Sequence, residues 1–209
     1  MKYFSTLILV LLFVSCSDKE VLLPQVETTI VADVKDHSPI YMFFKTEGKD
    51  TLVDVNRSNS ISSTNWIFNI DKRLPLRLVI PEILKLQAKK EKSAHKSATS
   101  ENYFSYSDSI KKSLAFLSFT KVKYILEKPK FGVVVYFDKK NRILVDSFVV
   151  ESKKLESYLH SMPSDKPLRF HFCFDKNMSY DDYIKAKNRI WNCKDPNLIE
   201  DPIPKEFIY

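Results

Sequence analysis

The sequence predicts an α+β protein with small mixed β-sheets, helices packed on one face, and two related lobes. Three observations predict this. Runs of β-branched and aromatic residues end in polar turns, apolar residues recur at helical spacing between some of these runs, and one segment of the first half resembles a segment of the second. Without its first 15 residues the chain has 194, enough for one medium domain or two small ones.

The first half begins with a predicted hairpin, in which apolar residues 40–44 and 51–53 flank a polar turn. A strand at 68–70 follows. The next element is an apolar-rich helix over 76–87, which Pro81 should kink or divide into two segments.

A basic, Ser-rich stretch at 88–100 predicts an exposed helical extension that becomes a linker. Ser107 is placed to cap a short helix through Ile110, Leu114 and Leu117. We expect the strand after it, at 122–126, to complete the sheet of the first lobe.

The second half predicts a hairpin, a helix, a strand and a final helix. Residues 132–137 and 143–149 form the hairpin, and 152–162 carries one apolar helical face. Residues 168–174 alternate strictly, so that the even-numbered residues share one face of a strand. A capping box at 179–182 opens the last helix, which ends at Trp191.

This order of elements, together with the motif at 172–180, resembles the periplasmic domain of ExbD and TolR proteins, which are partners of proton-driven envelope motors. In that family the last strand commonly ends in an Asp-Lys pair, and a Tyr begins the final helix. Asp175, Lys176 and Tyr180 match these positions. The resemblance covers residues 131–193. It implies a non-enzymatic module that binds an envelope protein or peptidoglycan, or associates with its own copies.

The segment 68–74 resembles 172–178, with Asp71 and Asp175 104 residues apart. The predicted strand ends Phe44 and Phe137 are 93 apart. The difference of 11 matches the length of the 152–162 helix, so the first lobe is interpreted as the same unit without that helix. Asp71 and Lys72 therefore join the candidate partner-binding residues.

The N-terminus predicts export and a lipid anchor. Lys2 and the short apolar run 7–14 are typical of a signal peptide, and the residues before Cys16 resemble the lipobox of bacterial lipoproteins. By that resemblance residues 1–15 are removed, Cys16 carries the lipid, and 16–36 form a tether. The alternative is an ordinary secretory signal that is cleaved elsewhere.

The lipoprotein interpretation places the chain in the cell envelope, most simply at the outer membrane, on its periplasmic or surface side. The apolar run 7–14 contains no carboxylate, unlike the acidic membrane helix of motor subunits. The chain itself therefore cannot relay protons, and we expect an accessory built on the same fold.

The remaining divisions are an N-terminal lobe at 37–127, an ExbD/TolR-like lobe at 128–194 and a Pro-rich tail at 195–209, which should lie extended on the surface.

The formal charge of +7 falls to +6 when Lys2 leaves with the signal peptide. The excess positive charge is spread along the chain and indicates a solvated basic surface; the alternative is a surface that binds anionic envelope polymers, and nucleic acid is not an expected partner.

Cys173 and Cys193 should be free thiols, because a strand end and the far end of a helix lie too far apart for a disulfide.

No catalytic, metal-binding or cofactor-binding motif is recognisable. Two glycines cannot form a glycine-rich phosphate loop, and the four histidines are isolated from other metal ligands. A rival function is a surface lipoprotein that captures a glycan or peptide through an aromatic groove between the lobes. Tyr103, Phe104 and Tyr106 could stack on a sugar, or lie buried. A third, weaker option is an enzyme whose site the sequence does not connect.

Overall fold

The computed structural model describes residues 19–163, 168–192 and 204–209, and its two six-stranded mixed sheets with helices confirm the α+β prediction. The first lobe contains β1 (Gln25–Val26), β2 (His37–Glu47), β3 (Asp50–Asn56), β4 (Asn65–Ile70), α1 (Leu76–Glu91), β5 (Asn102–Asp108) and β6 (Ser113–Ser118). The second contains β7 (Lys123–Ile125), β8 (Val133–Phe137), β9 (Ile143–Val145), β10 (Phe148–Val150), α2 (Leu155–His160), β11 (Phe170–Phe174), α3 (Tyr180–Asn192) and β12 (Lys205–Ile208). None of the described helices is long and apolar enough to cross a membrane.

The two lobes share one strand arrangement. In the first, β2 pairs antiparallel with β3 and parallel with β4, and β4 pairs parallel with β5. In the second, β8 pairs antiparallel with β9 and parallel with β11, and β11 pairs parallel with β12. A helix connects the second parallel pair of each lobe, α1 between β4 and β5 and α3 between β11 and β12, as is usual for parallel strands.

The strand pairing corrects one anchor of the predicted repeat. Ile70 lies opposite Met42, and Phe174 lies opposite Phe137. Met42, not Phe44, is therefore the equivalent of Phe137, and the second lobe is longer by nine residues between these positions. Nine residues is the length of the 3₁₀ turn and α2 together, Ser152–His160.

Reciprocal backbone hydrogen bonds join the lobes where α1 and α3 begin. Adding 104 to the number of a first-lobe donor gives the donor of a matching bond in the second lobe, and the acceptors are related in the same way, so the contact has pseudo-two-fold symmetry. Pro75 and Ser179 form an isolated antiparallel bridge at its centre. The N–H donors and C=O acceptors are Leu76 to Met178 at 3.0 Å, Tyr180 to Leu74 at 2.8 Å, Arg77 to Lys176 at 2.7 Å and Asp181 to Lys72 at 3.1 Å.

One hydrophobic core runs through both lobes. Tyr183 of α3 packs edge-on against Phe104 of the first sheet, with ring centroids 6.1 Å apart, and against Phe174 of the second at 5.0 Å. Because the inner faces of both sheets meet the helices in this core, each sheet has an outer face directed away from it.

The predicted tether is wrong for residues 19–36, which form an N-terminal arm folded onto the first lobe. β1 pairs parallel with β5, and Val31 bridges Phe116 of β6. Val34 and Phe116 are buried with Ile67 in a second, smaller core on the outer face of the first sheet. The apolar residues of the arm are too widely spaced to predict a strand or helix, so the sequence did not indicate that they are buried.

The predicted helix from Ser107 to Leu117 is wrong, because this segment forms the β5–β6 hairpin. The spacing of Ile110, Leu114 and Leu117 fits a helix, but a period of two in β5 buries Phe104 and Tyr106 on one face. Lys112, at φ 55°, forms part of the turn between the strands.

The strand predicted at 122–126 forms as β7, but it pairs with β12 and belongs to the second sheet. The lobe boundary therefore lies before residue 123, not at 127. Pro81 does not divide its helix, which continues from Leu76 to Glu91. The predicted exposed extension contains one buried side chain, that of Lys90, which donates to the Asn102 Oδ1 at 3.1 Å.

The prediction of a surface tail at 195–209 is also wrong for residues 204–209, the part that the structure describes. β12 lies between β11 and β7, and Glu206, Phe207 and Ile208 are buried. Three prolines in 195–204 suggested an extended tail, but the strand starts only after Pro204. A strand therefore follows the last helix, where the sequence predicted an extended tail.

Candidate functional site

Asp71 ends β4 and holds the N-terminal arm against the first lobe. Its carboxylate accepts from the Arg73 guanidinium at 2.8 and 2.7 Å and from the Leu22 N–H at 3.2 Å. Burial alone raises the pKa of this carboxyl, but the hydrogen bonds from Arg73 and Leu22 outweigh it and lower the pKa below its ordinary value. Asp71 is fully buried, so it is a structural anchor and is not placed to touch a partner.

The equivalent residues of the second lobe are also engaged within the chain. Asp175 accepts from the Asn177 N–H at 2.8 Å, and the Lys176 N–H donates to the Tyr209 carbonyl at 3.1 Å. Tyr180 is fully buried against Phe104. Of the predicted partner-binding residues, Lys72 and Lys176 accept hydrogen bonds through their carbonyl groups in the contact between the lobes, and the Tyr180 N–H donates in it. The Asp71 and Asp175 carboxylates accept within their own lobes, and among these five residues only the Lys176 side chain is exposed.

Each sheet carries a cleft on its outer face, and the two clefts occupy equivalent positions. Tyr41 lies opposite Asn56 and Asn69 in the first sheet, as Tyr136 lies opposite Leu144 and Cys173 in the second. The first cleft, of about 480 Å³, has the arm residues 19–23 along one wall. Both of these clefts lie on the outer faces of the sheets and not between the lobes, where the sequence predicted a groove.

The second-lobe cleft has a volume of about 590 Å³. The Tyr136 ring stacks on Tyr209, with centroids 5.4 Å apart and planes inclined by 27°. The Lys128 Nζ lies 5.3 Å from the Tyr209 centroid, a cation–π contact. Its lining residues are Lys128, Val134, Tyr136, Leu144, Asp146, Ser147 and Tyr209.

The turn that borders this cleft is held in an unusual conformation. Asp146 and Ser147, at φ 45° and 78°, connect β9 to β10 in a two-residue hairpin loop. Such loops favour glycine or asparagine, because positive φ costs other residues about 1 kcal/mol or more each. The Asp146 carboxylate offsets part of this cost by accepting the Val134 N–H at 3.0 Å. Strain of this kind often marks a binding site.

Two ionisable side chains at the cleft, those of Tyr136 and Cys173, are neutral at physiological pH. Burial raises the pKa of Tyr136 to about 12, with Asp175 adding to the effect. Burial likewise raises the pKa of the free Cys173 thiol to about 12, so this thiol is not a nucleophilic thiolate. Cys193 and the predicted lipidation residue Cys16 lie outside the described residues.

One exposed apolar side chain adjoins the cleft. Val149, which is 66% exposed, lies opposite the cleft residue Leu144 on the same face of the sheet, and these two residues form the apolar rim of the cleft. Phe148, which is 69% exposed, lies opposite the buried Val145 and therefore belongs to the other face of β10. By contrast Phe104 and Tyr106 are fully buried, so the predicted alternative of burial is confirmed for them.

A second polar cluster is enclosed in the shared core. The Glu206 carboxylate accepts from the Tyr183 hydroxyl at 2.5 Å and forms an ion pair with Lys187. Tyr183 also contacts the Tyr124 hydroxyl at 3.3 Å. All these side chains are largely or fully buried, and the cluster joins α3, β7 and β12. Among the residues that the structure describes, no three His, Cys, Asp or Glu side chains are grouped to hold a metal ion.

The cleft was missed in the sequence because Tyr209 was assigned to a surface tail. One signal was available: Val133, Val135 and Phe137 are buried, so alternation places Tyr136 on the opposite face of β8. Comparison of the chain with protein-family models, with curated proteins and with solved structures finds no match.

Proposed function

We propose that this chain is a lipid-anchored, non-enzymatic binding module of the cell envelope, with the second-lobe cleft and its apolar rim as the surface that binds another envelope protein. The lipid on Cys16 holds it at the membrane, most simply the outer membrane. The resemblance to ExbD and TolR periplasmic domains over 131–193 supports an accessory role beside an envelope complex.

The observation that carries this proposal is the cleft itself, with the stacked rings of Tyr136 and Tyr209 and the exposed Val149 opposite its Leu144. Burying one large apolar side chain contributes about 1.5–3 kcal/mol, part of which offsets the entropy lost when two proteins associate. The Asp71 and Asp175 loops are already engaged between the lobes, which leaves this surface as the stronger candidate.

The second candidate function is capture of a glycan or peptide at the cell surface. The Tyr136 and Tyr209 rings favour it, because a sugar ring can stack on an aromatic face while Lys128 and Ser147 donate hydrogen bonds. Peptidoglycan would bind in the same way from the periplasmic side. Protease added to whole cells separates these locations, since a surface protein is cleaved and a periplasmic one is protected.

The binding surface is tested by in-cell photo-crosslinking at Val149, followed by mass spectrometry of the adduct. Ile110 of the first lobe is the matched control, because it is apolar and similarly exposed, at 69% against 66%. We expect an adduct with an identified envelope protein at position 149 and none at 110. Adducts at neither position, or equally at both, would contradict the proposed surface. Peptidoglycan fragments or a second copy at 149 would replace the protein partner.

The anchor is tested separately by Cys16→Ser, with Cys193→Ser as the control. The proposal predicts that only the first change moves the protein from the membrane to the soluble fraction and removes the lipid mass from its N-terminus. A wild-type chain that is already soluble and has no lipid mass would favour the ordinary secretory signal, and a Cys16→Ser variant that stays in the membrane fraction would contradict the lipid anchor.

A further inference from the structure

Resting on the lipid anchor of the proposed function, we infer that the outer face of the first sheet, where β2 and β3 meet the arm, lies against the bilayer that holds the lipid. The occupant of this face is the headgroup region of the membrane. Two observations carry the inference: the contacts that fix the arm to this face, and the length of chain between Cys16 and the arm.

The arm is fixed to the first lobe from Lys19 onward. The Lys19 Nζ pairs with the Asp54 carboxylate at 2.6 Å and lies 5.7 Å from the Phe43 centroid. Three residues later, the Leu22 N–H donates to the buried Asp71 carboxylate at 3.2 Å, and the Leu22 carbonyl accepts a backbone N–H at 2.8 Å. The arm therefore contacts the outer face of the sheet already at the described residue nearest in sequence to Cys16.

The link between the lipid and this face is short, because only Ser17 and Asp18 separate Cys16 from Lys19. These three steps along the chain span at most about 11 Å, whereas a globular chain of this length has a radius of about 20 Å. A sphere of that radius, held at a point within about 11 Å of a plane, can tilt by at most about 60°. The surface around Lys19 therefore faces the bilayer.

The side chains beside Lys19 are compatible with the headgroup region. Lys45 lies opposite Leu52, on the same face of the hairpin as Phe43 and Asp54. Leu52 is 37% exposed, and the Asp54 carboxylate is already paired with Lys19. A lysine stem and apolar groups can enter the interface while the ammonium group stays hydrated.

The covalent lipid, and not surface charge, holds this face at the membrane. The exposed lysines of the hairpin, Lys45 and Lys49, are offset by the exposed carboxylates of Glu47 and Asp50 at its turn and of Glu20 in the arm. Attraction to anionic lipids is therefore not expected to orient the protein. A neutral bilayer is the appropriate surface for a test.

The test measures fluorescence of the purified, lipidated full chain on phosphatidylcholine vesicles that contain a headgroup-labelled nitroxide lipid as quencher. Bimane is attached at Lys45→Cys or, as the matched control, at Lys130→Cys, both in a Cys193→Ser background in which Cys173 is buried. Both lysines are exposed, but Lys130 precedes β8, which runs from Val133 toward the contact between the lobes, so it lies toward the far end of the second lobe. We expect a larger loss of fluorescence at position 45 than at position 130.

A second measurement repeats the quenching after insertion of 20 Gly and Ser residues between Asp18 and Lys19. Such a linker spans about 25 Å on average, more than the radius of about 20 Å, so the lobe is no longer held with one face toward the bilayer. The loss of fluorescence at position 45 should then fall to that at position 130. Equal quenching at both positions of the original chain, or unchanged quenching after the insertion, would overturn the inference.

Failure of this inference is distinguishable from failure of the proposed function. A purified chain without lipid mass at Cys16 contradicts the proposed anchor, and the inference falls with it. A lipidated chain with equal quenching at positions 45 and 130 retains the anchor and overturns only the orientation.

Discussion

Asp71 shows at the residue scale how a predicted contact residue serves the fold instead. Its carboxylate is buried, and it fixes Arg73 and the arm residue Leu22 at the end of β4. Asp175 has the same place in the second lobe but is only half-buried, and it accepts a backbone N–H from its own loop. From the sequence alone these two residues have the same predicted role. The arm that covers Asp71 is distant in the sequence, so the residues around Asp71 do not indicate its burial.

Asp71→Asn should destabilise the fold by about 2 kcal/mol at neutral pH, because it removes the charged partner of Arg73, which is itself 45% exposed. The folded-state pKa of Asp71 lies below 3.8, so its contribution is complete above pH 3.8 and is lost as the pH falls through the folded value. Urea unfolding of both proteins from pH 7 to pH 2.5 should therefore show a difference that narrows in acid. Asp175→Asn is the control and should lower the free energy of unfolding by less. An equal loss in both variants would contradict the role of Asp71 as the anchor of the arm.

Gly132 is required by both its backbone angle and its surroundings. At φ 89°, a Cβ on this residue would lie 2.6 Å from the Arg169 carbonyl oxygen and 2.8 Å from the His171 ring. Gly132→Ala should lower the free energy of unfolding by about 3 kcal/mol or more, since the carbonyl belongs to the backbone and cannot move freely. Gly48→Ala, at φ 60° with no atom within 4 Å, should cost only about 1 kcal/mol. Equal losses in denaturant unfolding would disprove the close contact.

At the element scale, the sequence predicted those elements whose own residues contain the signal. The first hairpin, the alternating strand β11 and the capped helix α3 are confirmed, and the Asp182 N–H donates to the Ser179 Oγ at 3.1 Å as the capping box predicts. The misassigned elements depend on distant partners. β6 and β12 become strands because neighbouring strands pair with them, and β7, predicted as a strand, joins the second sheet through β12; short segments such as 205–208 carry too little periodicity to indicate this.

The arm gives the prediction at this scale. Deleting residues 19–26 should lower the free energy of unfolding by at least about 2 kcal/mol, because it removes β1, the bonds of Leu22 and the cover of Asp71. Deleting an equal number of residues from the exposed turn region at 92–99 is the control and should cost less. If thermal unfolding of the arm deletion matches the intact chain, residues 19–26 act as a tether after all.

At the scale of the whole molecule, two similar lobes share one core and join through reciprocal hydrogen bonds. The sequence indicated the duplication through the Asp71 and Asp175 segments, but the correct anchor, Met42 with Phe137, required the strand register. The candidate site was not predicted, since it combines Tyr136 and Lys128 with Tyr209, which are brought together only when β12 enters the sheet. A single sequence contains no local signal for that assembly.

The central claim, that the second-lobe cleft contacts a partner in the envelope, is tested most directly by hydroxyl-radical footprinting of the protein in intact cells and after purification. The account predicts that Tyr136, Leu144 and Tyr209 are oxidised less in cells, while Ile110 and Leu114 of the first lobe are oxidised equally in both samples. Equal oxidation of the cleft residues in both samples, or protection confined to the first lobe, would contradict it.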